Sequence, residues 1–404
     1  MTTQWERVDT CLACGFDRLV DIVEFGEFPL ANEFLMSPIE ECVKYPLSLV
    51  YCDKCFNVQL TGKLPPDVLY KNYTYMSGTP DIQLKYFDWF SKYTKSYHNH
   101  PKTVLDIGCN DKSQLNFYKS LNLQTFGIDP AESVYNVNLD GHDVICDYFE
   151  NHEYPEGTFF DIIVCQNLIL KLGNPVEFLT KVKKIMNDDS VLFLTSPNCD
   201  MIRDGEVDIC LHENVSFYNV QSMKELCSRS GLFLVDVIKH YIHNGTNIFI
   251  ISKKEKNLYL IDNLINNEFE KGIYSFETYK KFVIKCNDII YRFKRSIEKI
   301  KNDGYVIIGC GASSKGITLL NLSGVDCIDV IVDENPNRIG LYIPLSKIPI
   351  CSYNSLIHCD NREKYCFVPF PWNFFTEIKT KVLNYRVHKD DIFLKYYPEI
   401  IIEK

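Results

Sequence analysis

Val104-Leu-Asp-Ile-Gly-Cys-Asn-Asp111 decides the fold: a run of buried-strand character enters a Gly-containing turn, and a helical pattern follows. Working outward, a second strand-like run, Thr125-Phe-Gly-Ile-Asp129, ends in an acid. Two more runs of the same texture, Asp161-Ile-Ile-Val-Cys165 and Val191-Leu-Phe-Leu-Thr195, alternate with helical segments. Such alternation is the signature of an α/β domain with a mostly parallel, doubly wound sheet. In that architecture ligands sit outside the C-terminal strand ends, where turn amides and a ribose-binding carboxylate converge. A nucleoside is the natural guest, and the bland alternative is a plain strand-turn-helix. Lys112 disturbs the pattern, because it stands where a Gly would let the backbone approach a ligand closely.

Other textures flank this block. Residues 1–70 are short apolar runs broken by Cys, Gly and Pro, and 71–255 hold the alternating pattern. A charged helical connector covers 256–301, and a second α/β texture fills 302–404, beginning at Tyr305-Val-Ile-Ile-Gly309. The 404 residues carry 43 basic and 53 acidic side chains, a net charge of -10. That balance argues against nucleic acid as a partner, since phosphate-backbone affinity rests on excess Lys and Arg. No run of about 18 apolar residues occurs, so no membrane helix is expected. The first residues lack the apolar stretch of a signal peptide, which makes the reducing cytoplasm the expected location. There, paired cysteines read as metal ligands rather than disulfides.

Cys11-Leu-Ala-Cys14 and Cys52-Asp-Lys-Cys55 are two such pairs, with 37 residues between them. Two C-x-x-C knuckles supply a closed tetrahedral thiolate set for zinc. With all four positions filled by Cys, no place is left for a catalytic water, so the expected role is structural. Four buried or redox cysteines are the other reading. Gly309-Cys-Gly-Ala-Ser-Ser-Lys-Gly316 joins a strand to a helix, and Lys315 at its end suggests a cradle for a phosphate-bearing group. A tight turn packed for its own sake reads equally well.

Together these strings resemble the S-adenosylmethionine-dependent sugar C-methyltransferases of antibiotic deoxysugar pathways, which carry an N-terminal zinc-binding domain. The resemblance covers nearly the whole chain. Besides the cysteine pairs and the two strand ends it includes Pro29-Leu-Ala-Asn-Glu-Phe34, Tyr45-Pro-Leu-Ser-Leu49 and Tyr73-Thr-Tyr-Met-Ser77. Gly311-Ala-Ser-Ser-Lys-Gly-Ile-Thr-Leu-Leu-Asn321, Val332-Asp-Glu-Asn-Pro336 and Pro371-Trp-Asn-Phe-Phe-Thr-Glu-Ile378 extend it to the C-terminal block. It implies a Rossmann-like class I methyltransferase sheet between the zinc module and a C-terminal Rossmann-like α/β domain. It also implies methyl transfer to a ring carbon of a nucleotide-linked keto-deoxysugar. Donor binding falls to Tyr75, Ser77, Asp106, Gly108, Asn110 and Asp129, and the sugar nucleotide to Asn247, Lys315 and Asn321.

The chain departs from the family where the chemistry is done. The family's Tyr-His-Glu-His run becomes Leu211-His-Glu-Asn214, so the expected base is an Asn, which takes no proton at useful pH. The family's Asn-Val-Leu-Ala-His becomes Asn167-Leu-Ile-Leu-Lys171, and the segment ending His-Gly-Gly-Ser-Leu-Arg becomes His243-Asn-Gly-Thr-Asn247. His212, Glu213 and Lys171 are the remaining candidates for acid–base work. Two readings stand: a divergent methyltransferase acting on a nucleotide sugar, or a non-catalytic relative kept as a sugar-nucleotide binding or assembly subunit. A monomer is expected in either case.

Overall fold

The computed structural model describes residues 5–70, 78, 81–131, 141–197, 199–242 and 245–404. Tyr75 and Ser77 lie outside the described residues. The chain divides into two compact units, the first made of Met1–Asp21, Leu49–Asp200 and Glu213–Ser275, the second of Ile22–Ser48, Met201–His212 and Phe276–Lys404.

Short strands open the chain: β1 (Glu6–Arg7), β2 (Leu19–Phe28), β3 (Tyr45–Cys52), β4 (Val58–Leu60) and β5 (Gly62–Lys63). The first unit is then organised by a seven-stranded sheet. Its strands are β6 (Thr103–Ile107), β7 (Gln124–Ile128), β8 (Asp143–Ile145), β9 (Ile162–Gln166) and β10 (Val191–Pro197). After the two-residue β11 (Ser216–Phe217), β12 (Phe233–His240) and β13 (Thr246–Ser252) complete it. The order is β12-β13-β10-β9-β6-β7-β8, with β13 antiparallel to both of its neighbours. All four runs read as strands from the sequence are strands of this sheet. The strand order reverses between β6 and β9, which opens a crevice at their C-terminal ends.

Alternation along the strands explains why both faces are covered. Leu105, Ile107, Ile163, Cys165, Leu192 and Leu194 enter one core cluster, while Val104, Ile162, Val164 and Phe193 enter the other. With side chains pointing to opposite faces at every step, near-continuous apolar strands demand helices or other cover on both sides. On the first face that cover includes Cys11, Ala13, Cys52 and Cys55. On the second it is the helix Asp81–Tyr97, whose Tyr86, Phe87 and Phe90 are buried there.

The second unit is built on a six-stranded sheet of β14 (Val306–Cys310), β15 (Val330–Asp333), β16 (Ile350–Ser352), β17 (Tyr365–Pro369), β18 (Ile392–Lys395) and β19 (Ile401–Glu403). Its order is β16-β15-β14-β17-β18-β19, parallel but for β19. Two helices follow β13: Leu258–Glu270 in the first unit and Phe276–Asn302 in the second. The longer one buries Tyr279, Phe282, Cys286, Ile289, Phe293, Ile297 and Ile300, a spacing of three and four residues that makes one apolar face.

The turns after β6 and β14 are built alike. Gly108 (φ 80°) and Gly311 (φ 86°) take left-handed backbone, and their amides donate to Ile128 O (2.8 Å) and Val332 O (2.7 Å). Two residues after Gly108, and one after Gly311, an amide reaches the acid that ends the neighbouring strand: Asn110 N to Asp129 Oδ2 at 2.9 Å, Ala312 N to Asp333 Oδ2 at 2.6 Å.

Candidate active site and metal centre

The metal centre follows from its two turns. Cys14 N donates to Cys11 Sγ and Lys54 N to Cys52 Sγ, each at 3.4 Å. Gly15 and Phe56, both in left-handed backbone, close the turns back onto the carbonyls of Cys11 and Cys52. The four Sγ atoms lie within 4.8 Å of one another, with Cys11–Cys55 and Cys14–Cys52 at 3.5 Å. Tetrahedral ligands about 2.3 Å from zinc stand about 3.8 Å apart, so the set is already at ligand spacing. Hydrogen bonds from Cys11 and then Cys55 pull the Cys52 thiol down, while Cys11 and Cys55 are pushed up. Four sulfurs so close cannot all ionise without a cation among them, and zinc fits.

The crevice at the sheet's reversal point holds a cavity of 650 Å³, within the range of small-molecule sites. Asp106, Gly108 and Asn110 line it from the turn after β6, and Asp129 from the end of β7. Both oxygens of Asp129 are held by amides, Oδ2 by Asn110 N and Oδ1 by Ala131 N, each at 2.9 Å. Gly127 has a steric reason: a Cβ there would come 2.8 Å from Cys109 Sγ. Lys112 takes left-handed backbone (φ 65°), donates its amide to Cys109 O at 2.9 Å and buries its side chain. It is not among the residues lining the cavity, so the approach over Gly108–Asn110 stays open.

Asp106 is 2% exposed, and its Oδ1 has no hydrogen-bond partner. Burial, then the nearby Asp129 and Asp111, push its carboxyl up to about 8. A lining wall of glutamines was not anticipated from the sequence. Gln166 Nε2 donates to Gln114 Oε1 (3.1 Å), and Gln114 Nε2 to Phe87 O (3.2 Å), whereas Gln83 Oε1 is buried without a partner. The available signal was a Gln three positions before the buried Tyr86-Phe87 pair, on an otherwise apolar helix face.

The acid–base candidates separate. Lys171 ends a short 3₁₀ turn, Ile169–Lys171, and lines the cavity. Its Nζ lies 3.4 Å from Glu213 Oε2 and 5.3 Å from the centroid of the Tyr70 ring, with 15% of the Lys171 side chain and 5% of the Glu213 side chain exposed. Lys171 also opposes the burial-driven rise of the Asp129 carboxyl. His212 belongs to the second unit, where its Nε2 donates to Tyr45 O at 3.0 Å. With Asn321 it lines a pocket of 10 Å³, about the room for one water. Asn247 is fully buried in β13 opposite Ser196, and neither of its amide atoms has a partner. Lys315 does not stand free over a helix N-terminus: it is paired with Glu206 and lies 5.0 Å from the Trp372 ring centroid. Burial works against its charge, but Glu206 and Asp208 outweigh burial and hold its pKa up.

Comparison with known proteins matches three family models in succession: a zinc binding domain at residues 11–70, a methyltransferase domain at 81–237 and a C-methyltransferase C-terminal domain at 242–395. The three matches follow one another along residues 11–395. Among curated relatives, the C-methyltransferase NovU of Streptomyces niveus is 23% identical over 360 residues, 85% of this chain and 86% of its own length. Similar solved structures include the plantazolicin methyltransferase BpumL in complex with S-adenosylhomocysteine and a desmethyl-plantazolicin analogue (15% identity, 44% of this chain and 87% of that one, TM-score 0.35). Another is the mitomycin 7-O-methyltransferase MmcR (15% identity, 43% and 54%, TM-score 0.36). S-adenosylmethionine and zinc are the cofactors of this protein, and the residues present fit both. The buried, unpartnered Asp106 Oδ1 in a cavity of nucleoside size is what a bound donor would answer.

Proposed function

We propose that the protein methylates a carbon of a nucleotide-linked keto-deoxysugar and that Lys171 and Glu213 perform the acid–base work. The observation that carries this reading is the Lys171–Glu213 pair at 3.4 Å, with Lys171 on the wall of the donor cavity. The substrate class is supported by the motif resemblance along the chain. A ketone acidifies the neighbouring C–H, and the reaction needs one group to take that proton and a donor for the oxyanion that develops.

Within the pair, Lys171 passes its proton to Glu213 and the freed amine takes the α-proton. The C–H electrons move into an enolate, leaving an ammonium at Lys171 and a carboxylic acid at Glu213. The ammonium then stands beside the new oxyanion. Bound S-adenosylmethionine supplies an electrophilic methyl group. Asp106, Gly108, Asn110 and Asp129, which line the cavity, hold the donor. In this reading His212 positions the segment before Glu213, since its Nε2 is committed to Tyr45 O.

The test is transfer of labelled methyl from S-adenosylmethionine to nucleotide-linked 4-keto-deoxysugars. Lys171→Ala and Glu213→Gln should each lower kcat by about 100- to 10,000-fold, while His212→Ala lowers it less than about tenfold. Inverted sensitivities would make His212 the base. No transfer to any such sugar, in folded protein that binds S-adenosylhomocysteine, would overturn the reading and leave a binding subunit.

A further inference from the structure

One core hydroxyl beside the metal centre has no partner. Tyr218 is fully buried, and its Oη makes no hydrogen bond among the described residues. Buried phenols usually find one, because a donor that leaves water and meets nothing is costly. The chain places this residue against the second cysteine knuckle. Strand β11 pairs antiparallel with β4, Ser216 opposite Gln59 and Phe217 opposite Val58. One step further, the same register sets Tyr218 across from Asn57, two residues past Cys55. Asn219, the next residue, donates its Nδ2 to Phe56 O at 2.8 Å and to Cys55 O at 3.3 Å. Tyr218 accordingly shares a buried cluster with Cys11, Cys52 and Cys55.

The groups that bear on the phenol are the Ser216 hydroxyl and the sulfurs of Cys11 and Cys55. Ser216 Oγ is already engaged with Asn57 Nδ2 at 2.8 Å. Burial raises the phenol's pKa and the two sulfurs add to it, against an opposing Ser216. The hydroxyl therefore keeps its hydrogen and meets the sulfurs as a donor. They need one. Four thiolates around one divalent cation leave the centre doubly negative, and Cys11, Cys52 and Cys55 are all buried. Cys11 and Cys52 each accept an amide at 3.4 Å, from Cys14 and Lys54. Charge within an apolar cluster is tolerated only with further donors around it.

We infer that Tyr218 donates its hydroxyl hydrogen to the thiolates of Cys11 and Cys55, whose sulfurs stand 3.5 Å apart, and so belongs to the zinc centre without ligating the metal. The bond draws charge off sulfur. It favours the loaded centre over the empty one, whose thiols are weak acceptors. Nothing in it depends on the sugar, and the test needs no substrate.

Two quantities are read on the full chain: zinc affinity by competition with a chromophoric chelator, and the sulfur-to-metal charge-transfer bands after loading with cobalt(II). Tyr218→Phe should weaken zinc by about 10- to 100-fold and move the bands to lower energy, because the sulfur electrons lose the hydrogen that held them. Ser216→Ala should leave the bands in place. Biosynthetic replacement of tyrosine by 3-fluorotyrosine, a stronger acid, should move them to higher energy, a result that needs no variant to fold. An unshifted spectrum in the Phe or the fluorotyrosine chain, even with weaker zinc, would give the phenol to core packing or to Asn57 and overturn the inference. Bands that move with Ser216→Ala alone would overturn it as well, and so would a full chain that binds no metal.

Discussion

Asp106 is a buried acid held neutral by its surroundings, and the stability of the protein without donor should show it. Its carboxyl is pushed up to about 8 by burial, with Asp129 and Asp111 adding repulsion. Tyr118, Cys109 and Cys165 face it from the adjoining helix, turn and strand, and Lys112 stands by Cys109. In the unfolded chain an Asp titrates near pH 3.9. Below that both states are neutral and the group costs nothing. Between about pH 4 and 8 the unfolded chain releases the proton while the folded one keeps it, so stability falls as pH rises and levels off above 8. Asp106→Asn is neutral throughout. Its thermal midpoint should equal that of the wild type near pH 4 and exceed it increasingly toward pH 8, by about 2 to 4 °C for each kcal/mol recovered. Scanning calorimetry without ligand checks this, and saturating S-adenosylhomocysteine should shrink the gain.

The zinc knuckles show how an element too short to build a core contributes to one. Cys11, Ala13, Cys52 and Cys55 share a buried cluster with Leu105, Ile107, Cys165 and Leu194 of the central sheet. Arg229, on the helix Val220–Arg229, donates to Ala13 O at 2.8 Å. Cys52→Ser should drop bound zinc well below one per chain by emission spectrometry and lower the thermal midpoint, since structural zinc supplies folding energy directly. Zinc retained at full stability would refute it. This centre was legible because C-x-x-C spacing fixes both ligand geometry and metal. The strands were legible because apolar runs and their acidic ends recur at β6 and β7. Gly272 (φ 74°) breaks the helical stretch that reads as one from its texture. Gln83 and Glu213 were less legible. A polar residue on a buried face carries no label, and pairing across 42 residues between Lys171 and Glu213 leaves no pattern in either neighbourhood.

At the scale of the whole molecule, the chain does not run through its units one after the other. His212 and Glu213 are sequence neighbours assigned to different units. The second unit draws on Met201–His212 for Asp208, whose Oδ2 accepts from Trp372 Nε1 and Tyr396 Oη, both at 2.8 Å. A fragment of 276–404 alone would leave Trp372 Nε1 without its acceptor, at about 1 to 3 kcal/mol, and Tyr396 Oη with Phe370 O alone. It would also lose the Glu206 partner of Lys315. Expressed by itself it should fail to give a cooperative unfolding transition by circular dichroism, and a sharp transition would show the lobe to be autonomous.

That interleaving bears on heredity. A crossover at codon 276 would hand a descendant the long helix and the six strands, but neither Ile22–Ser48 nor Met201–His212. Recombination cannot trade this lobe as a cassette. New specificity in such a lineage has to arrive by substitution within the continuous chain.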